Sequence, residues 1–323
     1  MIYRQVSHTM WPPLFELRML TAISALASRR SVTFPPAAVM PWLQRYLASM
    51  LAAGNLDPIP KHIARLMNNF TSLVTQLQAG PVLYKKAHTL ALLFDVFAVQ
   101  SEMSLENPDE LVLGYTQLMM GFLLFKATPR RIGMIGLGGG SLAKFCYRHL
   151  PDAVIEVAEI CPQIIAIRDE FKIPPDGPRF KVHCQDGADF VIRDMSCFDV
   201  LLNDGFDKGG QPLQLSSRRF YDDCYASLAP QGMMVTNVLG GEKNTDAQVD
   251  DMRAAFNGEV YVVDAYDSLN RIAFACKGDL LKADLPTMME RTKFIRCLHP
   301  ATLRLIAHGI AYARDGLVPE LSM

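Results

Sequence analysis

Two carboxylates, Asp204 and Asp207, lie three positions apart directly after the apolar run 198–203. If that run is a strand, both side chains lie at its carboxyl end and can face one cleft. Two carboxylates in such a cleft can bind a protonated amine and remove its proton before the nitrogen attacks. Helix capping or solvation of a loop would use the same residue types, so the pair alone leaves both interpretations open.

A glycine-rich turn is the second feature that could form part of a functional site. Residues 131–141 read RIGMIGLGGGS, an apolar run that leads directly into glycines and then into a helical pattern. Glycines let backbone N–H groups approach a nucleotide-like ligand without interference from side chains. Tight turns also use glycine for steric reasons alone, so the turn gains meaning only from the residues that follow it.

Acidic residues follow the next two apolar runs. Glu159 ends the run AVIEVAE, 23 residues after Gly136, where it can accept hydrogen bonds from ribose hydroxyls. Asp186 and Gly187 follow the run that ends at Cys184, and an Asp there can accept a hydrogen bond from the exocyclic amine of adenine. Asp-Gly is also an ordinary turn sequence, so Asp186 decides nothing by itself. The glycine turn and Glu159 together predict a nucleoside-binding α/β core.

The elements that must position these residues alternate between strand and helix from Arg131 onward. The first five apolar runs are separated by segments long enough for helical crossovers, as parallel pairing requires. The last two are joined by about six residues, which suits an antiparallel hairpin. We therefore predict a doubly wound, seven-stranded Rossmann-like sheet of the class I methyltransferase type. The predicted strands are residues 131–135, 154–158, 180–184, 198–203, 233–238, 259–264 and 271–276.

Four regions are predicted along the chain from its apolar patterns and its proline and glycine breaks. The first is a helical N-terminal extension with helices near 15–27, 42–53 and 62–78. The second combines a β-hairpin, 82–86 with 89–94, a strand at 99–102 and a linking helix at 108–124. The tail is helical, most clearly at 300–314. The region boundaries are 1–80 for the extension, 81–125 for the hairpin and linking helix, 126–278 for the Rossmann-like nucleoside-binding catalytic domain and 279–323 for the tail.

Composition limits the class of protein. The chain has 323 residues, of which 50% are hydrophobic and 20% charged, which is typical of a soluble globular protein. It has no apolar run of about eighteen residues and no secretory signal pattern, so we expect no membrane segment. Its seven cysteines lie far apart without a CxxC pair. We therefore expect no metal site, no disulfide framework and a reducing, cytoplasmic location.

The charge is distributed unevenly. The whole chain has 32 Lys and Arg against 33 Asp and Glu, but its first eighty residues have seven against two. The remainder is therefore net negative, which suits a cationic substrate and disfavours nucleic acid. Surface carboxylates would produce the same balance, so this indication is a weak one.

The order and spacing of these motifs resemble the spermidine synthase, or polyamine aminopropyltransferase, family over residues 81–278. Residues 1–80 and the tail lie outside the resemblance. The matching segments are VQSEM at 99–103, YTQLM at 115–119, the glycine turn, VAEI at 157–160, QDG at 185–187 and DVLLNDGFD at 199–207.

The resemblance implies a role for each matching residue. Asp204 is the aspartate that helps deprotonate the attacking amine, Asp207 holds that amine, and Tyr115 is the aromatic hydroxyl beside the reacting centre. Glu159 is the ribose acid and Asp186 the adenine acid. The implied substrate-binding residues are Asp207 and Gln100, the latter lining the nucleoside pocket. The implied cofactor-binding set is Gly136, Gly138, Gly139, Glu159, Asp186 and Gly187.

The reaction that the resemblance implies is an in-line displacement without a metal. A neutral amine attacks the methylene carbon next to the sulfonium of decarboxylated S-adenosylmethionine, and methylthioadenosine leaves. Alignment and local carboxylates would provide most of the rate. Members of the family usually form dimers or tetramers, so we expect a homo-oligomer such as a homodimer.

The chain departs from the family pattern where the donor and the amine are selected. The family's glycine turn usually carries an aspartate at the position of Gly139, and acids usually stand at the positions of Cys161 and Gln117. The late Pro-Tyr-Pro loop is not found. Without a charge at 139, a donor that keeps its carboxylate meets less repulsion, so intact S-adenosylmethionine becomes a second possible donor.

Three hypotheses about function follow. The first is an aminopropyltransferase that acts on a small amine. The second is a methyltransferase, or an aminocarboxypropyl-transferring or donor-cyclising enzyme, that uses intact S-adenosylmethionine on the same fold. The third is a nucleoside-binding module without catalysis whose N-terminal extension recruits a partner.

Overall fold

The computed structural model describes residues 80–94, 99–193, 196–207, 210–240 and 245–315. The chain divides into two compact units, residues 1–100 and residues 101–323. The helices predicted at 15–27, 42–53 and 62–78 lie outside the described residues. The division into four regions remains a prediction.

The described part of the first unit is built on a β-hairpin. Strands β1 (Val82–Lys85) and β2 (Thr89–Leu93) pair antiparallel. A hydrogen bond from the Lys86 N–H to the Thr89 carbonyl, 2.8 Å long, closes the turn between them. Strand β3 (Val99–Ser104) is the third strand of this small sheet, whose order is β1-β2-β3. The hairpin and the following strand are therefore confirmed.

The second unit contains the seven-stranded sheet predicted from the apolar runs. Its order is β6-β5-β4-β7-β8-β10-β9. Strands β4 to β8 are parallel, and β10 is antiparallel to both of its neighbours. The strand bounds are β4 Arg131–Ile135, β5 Val154–Glu159, β6 Phe180–Cys184, β7 Phe198–Asn203, β8 Leu228–Leu239, β9 Val260–Asp264 and β10 Asn270–Lys277.

The strand order places a crevice at the centre of the sheet. Strand β4 has β5 and β6 on one side and β7 and β8 on the other. The connections after β4 and after β7 therefore run in opposite directions along the sheet, and the switch point lies between these two strands. Open α/β sheets bind ligands beyond the carboxyl ends of the strands at such a switch point. The central strands are nearly continuous apolar runs because helices cover both faces of a parallel sheet.

Eight α-helices are described, and the helix predicted at 108–124 was wrong at its start but ends at the predicted residue. The α-helix begins only at Gly114, and residues Met120–Leu124 continue it as a 3₁₀ segment. Ahead of it, the Asn107 N–H donates to the Ser104 hydroxyl and the Glu110 N–H to the Asn107 carbonyl, so the chain forms turns there. The helices are α1 Gly114–Met119, α2 Ser141–His149, α3 Pro162–Ala166, α4 Gly187–Arg193, α5 Arg218–Ser227, α6 Thr245–Ala255, α7 Leu285–Thr292 and α8 Pro300–Asp315.

Asp199, near the start of β7, has a structural role at the amino-terminal edge of the sheet. Its Oδ2 accepts the backbone N–H groups of Arg130, at 2.7 Å, and Arg131, at 3.1 Å. Its Oδ1 lies 3.0 Å from the Lys126 ammonium. The starts of β4 and β7 are thus tied together at the end opposite to the crevice.

The helical tail contains α7 and α8, which confirms the helix predicted at 300–314. Asp284 caps α7, because its side chain accepts the Thr287 N–H. Over the described residues, no helix has the length and apolar character needed to cross a membrane.

Candidate active site

The motif residues assemble along the carboxyl edge of the sheet because the backbone joins the strand ends there. The Asp204 N–H donates to the Ile135 carbonyl at 2.9 Å and so connects β7 to β4. The Gly136 N–H donates to the Ala158 carbonyl, also at 2.9 Å, and connects β4 to β5. The segments that follow β4, β5 and β7 therefore begin next to one another at the carboxyl edge of the sheet, beside the switch point.

Asp204 lies at the centre of this edge and is held by two donors from separate elements. The Tyr115 hydroxyl, on α1, donates to Asp204 Oδ2 at 3.2 Å. The Asn237 side-chain amide, on β8, donates to Asp204 Oδ1 at 2.8 Å. Each carboxylate oxygen thus has one protein donor, and a carboxylate has about four acceptor sites. Capacity remains for a further donor such as an amine.

Burial sets the ionisation of this group. Desolvation raises the pKa of Asp204 to about 6, although the hydrogen bonds from Asn237 and Tyr115 act in the opposite direction. Desolvation also raises the pKa of Tyr115 well above 10, and the neighbouring Asp204 charge adds to the effect. At neutral pH the site therefore holds an aspartate that is mostly ionised and can be protonated, next to a phenol that keeps its proton.

Asn237 is the functional residue that sequence reasoning missed. In the parallel ladder Asn203 pairs with Thr236, so the next residues along, Asp204 and Asn237, lie side by side on the opposite face. Asn237 is only 2% exposed. The available signal was the polar pair Thr236-Asn237 inside an otherwise apolar strand that neighbours the strand before Asp204.

Gly136 brings the glycine turn against the end of β7. Its φ is +89°, a left-handed conformation that favours glycine. A Cβ at this position would lie 2.4 Å from the backbone oxygen of Asp204, much closer than any side chain allows. The first glycine of the turn is thus required for the approach of the turn to the catalytic candidate.

Gly139 has no room for a side chain. A Cβ built there would lie 2.6 Å from the Ser101 hydroxyl oxygen and 2.9 Å from the Phe171 ring. Ser101 in turn lies 3.3 Å from the Ser141 hydroxyl, oxygen to oxygen, at the start of α2. The turn therefore presents backbone and hydroxyl groups, and packing excludes a carboxylate at 139.

Glu159 joins the glycine turn to the end of β5. The Leu137 N–H donates to its Oε2 at 2.9 Å, and the Cys161 N–H donates to its Oε1 at 2.8 Å. The side chain is 7% exposed, so these two bonds orient a buried carboxylate. One acceptor position on each oxygen remains for ribose hydroxyls, and the ribose role stays a prediction.

Asp186 has the contacts of a turn-forming aspartate. Its Oδ1 accepts the Ala188 N–H and its Oδ2 accepts the Gln214 side-chain amide, both at 2.8 Å. Gly187 begins α4, and a Cβ there would lie 2.3 Å from the Ile135 side chain. The adenine role of Asp186 and the donor-site role of Gly187 remain predictions.

Three further predicted residues are described by their local structure alone. Asp207 is exposed in a turn where its N–H donates to the Gly210 carbonyl at 2.9 Å. Gly138 has a φ of +51° and is partly exposed in the glycine turn. Gln100 is a partly buried residue of β3 in the first unit. Their roles in binding amine or donor also remain predictions.

Within the described ranges, no group of three or more His, Cys, Asp or Glu side chains is arranged to hold a metal ion. The described edge of the sheet offers the Asp204 carboxylate with two neutral donors, the buried carboxylate of Glu159 and a glycine turn. This donor and acceptor set suits a cationic nucleoside and an amine.

Sequence comparisons give curated relatives that include polyamine aminopropyltransferases. No protein-family model matches the chain. A polyamine aminopropyltransferase of Chromobacterium violaceum is 41% identical over 163 residues, which are 50% of this chain and 62% of that protein. A polyamine aminopropyltransferase of Neisseria meningitidis serogroup B is 37% identical over 196 residues, which are 60% of this chain and 74% of that protein.

A solved structure has the same fold. A probable spermidine synthase from Corynebacterium glutamicum superposes with a TM-score of 0.56 over 75% of this chain and 95% of its own. The two sequences are 19% identical, so the similarity concerns the fold alone. It confirms the methyltransferase-type architecture predicted from the strand pattern.

Proposed function

Because the chain belongs to the polyamine aminopropyltransferase family, we propose that it transfers an aminopropyl group from decarboxylated S-adenosylmethionine to a small amine. The observation that carries this proposal is the position of Asp204 at the switch point, with one donor on each carboxylate oxygen. A carboxylate held in this way can bind and orient a nitrogen nucleophile.

The reaction is a single displacement at carbon. The lone pair of the amine nitrogen forms a bond to the methylene carbon beside the sulfonium, and the carbon–sulfur bond breaks. The electron pair of the broken bond stays on sulfur, so methylthioadenosine leaves as a neutral thioether. The proton lost by the amine passes to the Asp204 carboxylate and then to solvent.

The charges of the reactants make this proton transfer feasible. A positive sulfonium close to an ammonium lowers the pKa of the amine, because two like charges are unfavourable. Asp204, with a pKa of about 6, is ionised at neutral pH and can accept the proton. Tyr115 stays protonated and donates to one oxygen, while Asn237 donates to the other. The lone pairs that remain on the carboxylate can then point at the nitrogen.

The donor is assigned to the glycine turn and Glu159. Glu159 is buried and oriented by the Leu137 and Cys161 N–H groups, which supports a role in binding the ribose hydroxyls. Gly136, Gly138 and Gly139 would allow the nucleoside to approach the backbone. Asp186 and Gly187 begin the next segment along the edge, where the adenine would lie. Asp207 and Gln100 are assigned to the amine and to the nucleoside pocket by the resemblance alone.

The test is release of methylthioadenosine. Purified protein should release it from decarboxylated S-adenosylmethionine in the presence of one member of a panel of diamines and polyamines. Asp204→Asn should lose at least about a hundredfold in kcat, the usual scale of general-base catalysis, while donor binding persists. No release with any amine in the panel would contradict the proposal.

The packing around Gly139 favours a second candidate function. Since Ser101 and Phe171 exclude a side chain there, the turn provides no carboxylate to repel the carboxylate of intact S-adenosylmethionine. A methyltransferase or an aminocarboxypropyl-transferring or donor-cyclising enzyme on the same fold would follow. The nucleoside product separates these: methyl transfer leaves S-adenosylhomocysteine, and attack on the longer chain leaves methylthioadenosine.

Location and assembly are further proposals. The cytoplasmic location remains a proposal that rests on the wide spacing of the seven cysteines in the sequence. A homo-oligomer is expected from the family, and a small-molecule amine is the proposed partner. The alternative of a non-catalytic nucleoside-binding module would gain support if Asp204→Asn kept ligand binding and left the biological role intact.

A further inference from the structure

Helix α1, which carries Tyr115, has no local cap at its N-terminus. Its N-cap residue is Leu113, whose side chain cannot accept a hydrogen bond, and its first turn contains no acidic residue. Helix N-termini leave backbone N–H groups without partners unless a side chain or water supplies them. A six-residue helix has few internal hydrogen bonds to hold such an end in place.

A carboxylate from a distant part of the chain supplies the missing partner. Asp267, in the loop between β9 and β10, accepts the Gly114 N–H through its Oδ2 at 2.9 Å. The two residues are 153 positions apart, so this contact forms only in the folded protein. A negative charge at a helix N-terminus also interacts favourably with the helix dipole.

Gly114 and Asp267 fit each other sterically. A Cβ at position 114 would lie 2.6 Å from Asp267 Oδ2 and 2.7 Å from its carboxyl carbon. Gly114 is buried, while Asp267 is exposed, so the carboxylate approaches the helix from the solvent side. Glycine is a weak helix former, and its use at the first helical position is explained by the space that the carboxylate occupies.

The next residue in the helix is Tyr115. Its hydroxyl reaches Asp204 at 3.2 Å, longer than the usual distance for an O–H···O bond, so a small movement of the first turn would break the contact. Helix α1 packs against β8 and β10, and those contacts leave its first turn at the edge where Asp204 lies.

We propose that Asp267 is a positioning residue that fixes the first turn of α1 and thereby holds the Tyr115 hydroxyl against Asp204. This inference rests on the proposed function of Asp204. It gives the β9–β10 loop, which carries Asp267, a role in positioning the active site. Asp267 acts through Tyr115 and need not touch either substrate.

Four variants test the proposal: Asp267→Ala, Asp267→Asn, Gly114→Ala and the double variant Gly114→Ala with Asp267→Ala. The Ala variant at 267 should lower kcat about tenfold, within the range expected for loss of a cap. It should also move the acid limb of the pH profile to higher pH, because Asp204 loses a donor. Tyr115→Phe is the reference variant and should move the limb in the same direction. Asp267→Asn keeps an acceptor and should restore most of the activity.

The Gly114 variants provide a steric control. Gly114→Ala should be harmful in the wild-type background, where its methyl group meets Asp267, and close to neutral when Asp267 is Ala. The proposal would be overturned if Gly114→Ala lowered kcat by the same factor in the wild-type and Asp267→Ala backgrounds. The proposal would also be overturned if the acid limb of the pH profile moved in Tyr115→Phe but stayed at its wild-type position in Asp267→Ala.

A measurement independent of turnover separates this proposal from the proposed function. The pKa of Asp204 can be followed by carboxyl-selective NMR in wild type, Asp267→Ala and Asp267→Asn. A higher pKa in the Ala variant alone supports the positioning role even if no amine is a substrate. An unchanged pKa contradicts it even if the protein is an active aminopropyltransferase.

Discussion

Asp204 is placed between two opposing influences. Burial raises its pKa, whereas the donors on α1 and β8 lower it, and the result is a carboxyl group that titrates at about 6. An Asp in water is fully ionised at that pH, so only a partly buried site lets this residue accept a proton near neutrality. The chemistry therefore depends on the balance between desolvation and the two hydrogen bonds.

The first prediction concerns pH. If ionised Asp204 receives the proton of the amine, kcat/KM should fall on the acid side with a break near pH 6, since the protonated carboxyl group cannot accept a further proton. Simple amines are already fully protonated far above this pH, so their own titration places no break there. Initial rates of methylthioadenosine release between pH 5 and pH 8 check this. A flat profile through pH 6 would exclude Asp204 as the proton acceptor.

The second prediction concerns Asn237. Asn237→Leu removes the donor to Asp204 Oδ1, so the pKa of Asp204 should rise, the acid limb should move to higher pH and activity at pH 7 should fall. Thr236→Val is the matched control, because Thr236 is equally buried but bonds to Asn203 on the other face of β8. The control should lose stability without moving the limb. If the acid limb of the pH profile lay at the same pH in Asn237→Leu and Thr236→Val, the role of Asn237 would be contradicted.

The residues of the site differ in how far they could be predicted. Asp204 and Glu159 follow apolar runs and could be placed at strand ends from sequence alone. Asn237 could not, because its position beside Asp204 depends on the register of β7 against β8, which the shift between Phe198 and Val200 also alters. Asp186 illustrates the opposite case, since its turn contacts were the alternative that the sequence left open.

At the scale of elements, the glycine turn is defined by what packs on it. Phe171, in the segment after α3, occupies the space next to Gly139, and Ser101 closes the other side. Lys144 of α2 supports that segment, because its buried ammonium donates to the Phe171 carbonyl at 2.8 Å. The turn is thus fixed by neighbours distant in sequence.

The third prediction tests this packing. Gly139→Ala should destabilise the protein by about 1–3 kcal/mol, the usual cost of overpacking, and should weaken donor binding because the turn must move. Gly177→Ala is the control, since no atom lies within 4 Å of a Cβ at that position. Its stability should change by less than about 0.5 kcal/mol. Chemical denaturation of both variants decides the point, and equal stabilities would contradict the packing described for Gly139.

Strands proved easier to predict than helix starts. The five parallel strands of the large sheet were found because a buried parallel strand is an apolar run separated from the next by a crossover of minimum length. The last two strands were found because a short connection predicts an antiparallel hairpin. Helix α1 was misplaced because its first turn depends on Asp267, 153 residues away, while the residues before it form local turns. A start signal supplied from another element cannot be recognised in a local pattern.

For the whole molecule, the described core accounts for the family resemblance. The matched relatives cover 50% and 60% of the chain, and the first of them is matched over only 62% of its own length. The chain also carries a region of seven basic and two acidic residues among its first eighty.

The fourth prediction concerns assembly. We expect the full chain to self-associate as a homodimer or tetramer, as members of the family usually do. Light scattering on the purified chain at several concentrations measures this directly. A monomer at all concentrations would contradict the expectation, and the same measurement on Asp204→Asn shows whether assembly and catalysis are independent.

The central claim is that an ionised Asp204 directs a nitrogen nucleophile to the aminopropyl carbon of a decarboxylated donor. The most direct measurement supplies decarboxylated S-adenosylmethionine and an equal amount of intact S-adenosylmethionine that carries a ¹³C-labelled ribose, together with the amine panel. Mass spectrometry of the nucleoside products then shows which donor each product came from. We predict methylthioadenosine formed from the decarboxylated donor by the wild-type chain, and its loss in Asp204→Asn. S-adenosylhomocysteine as the sole product, or methylthioadenosine formed equally well by Asp204→Asn, would contradict the account.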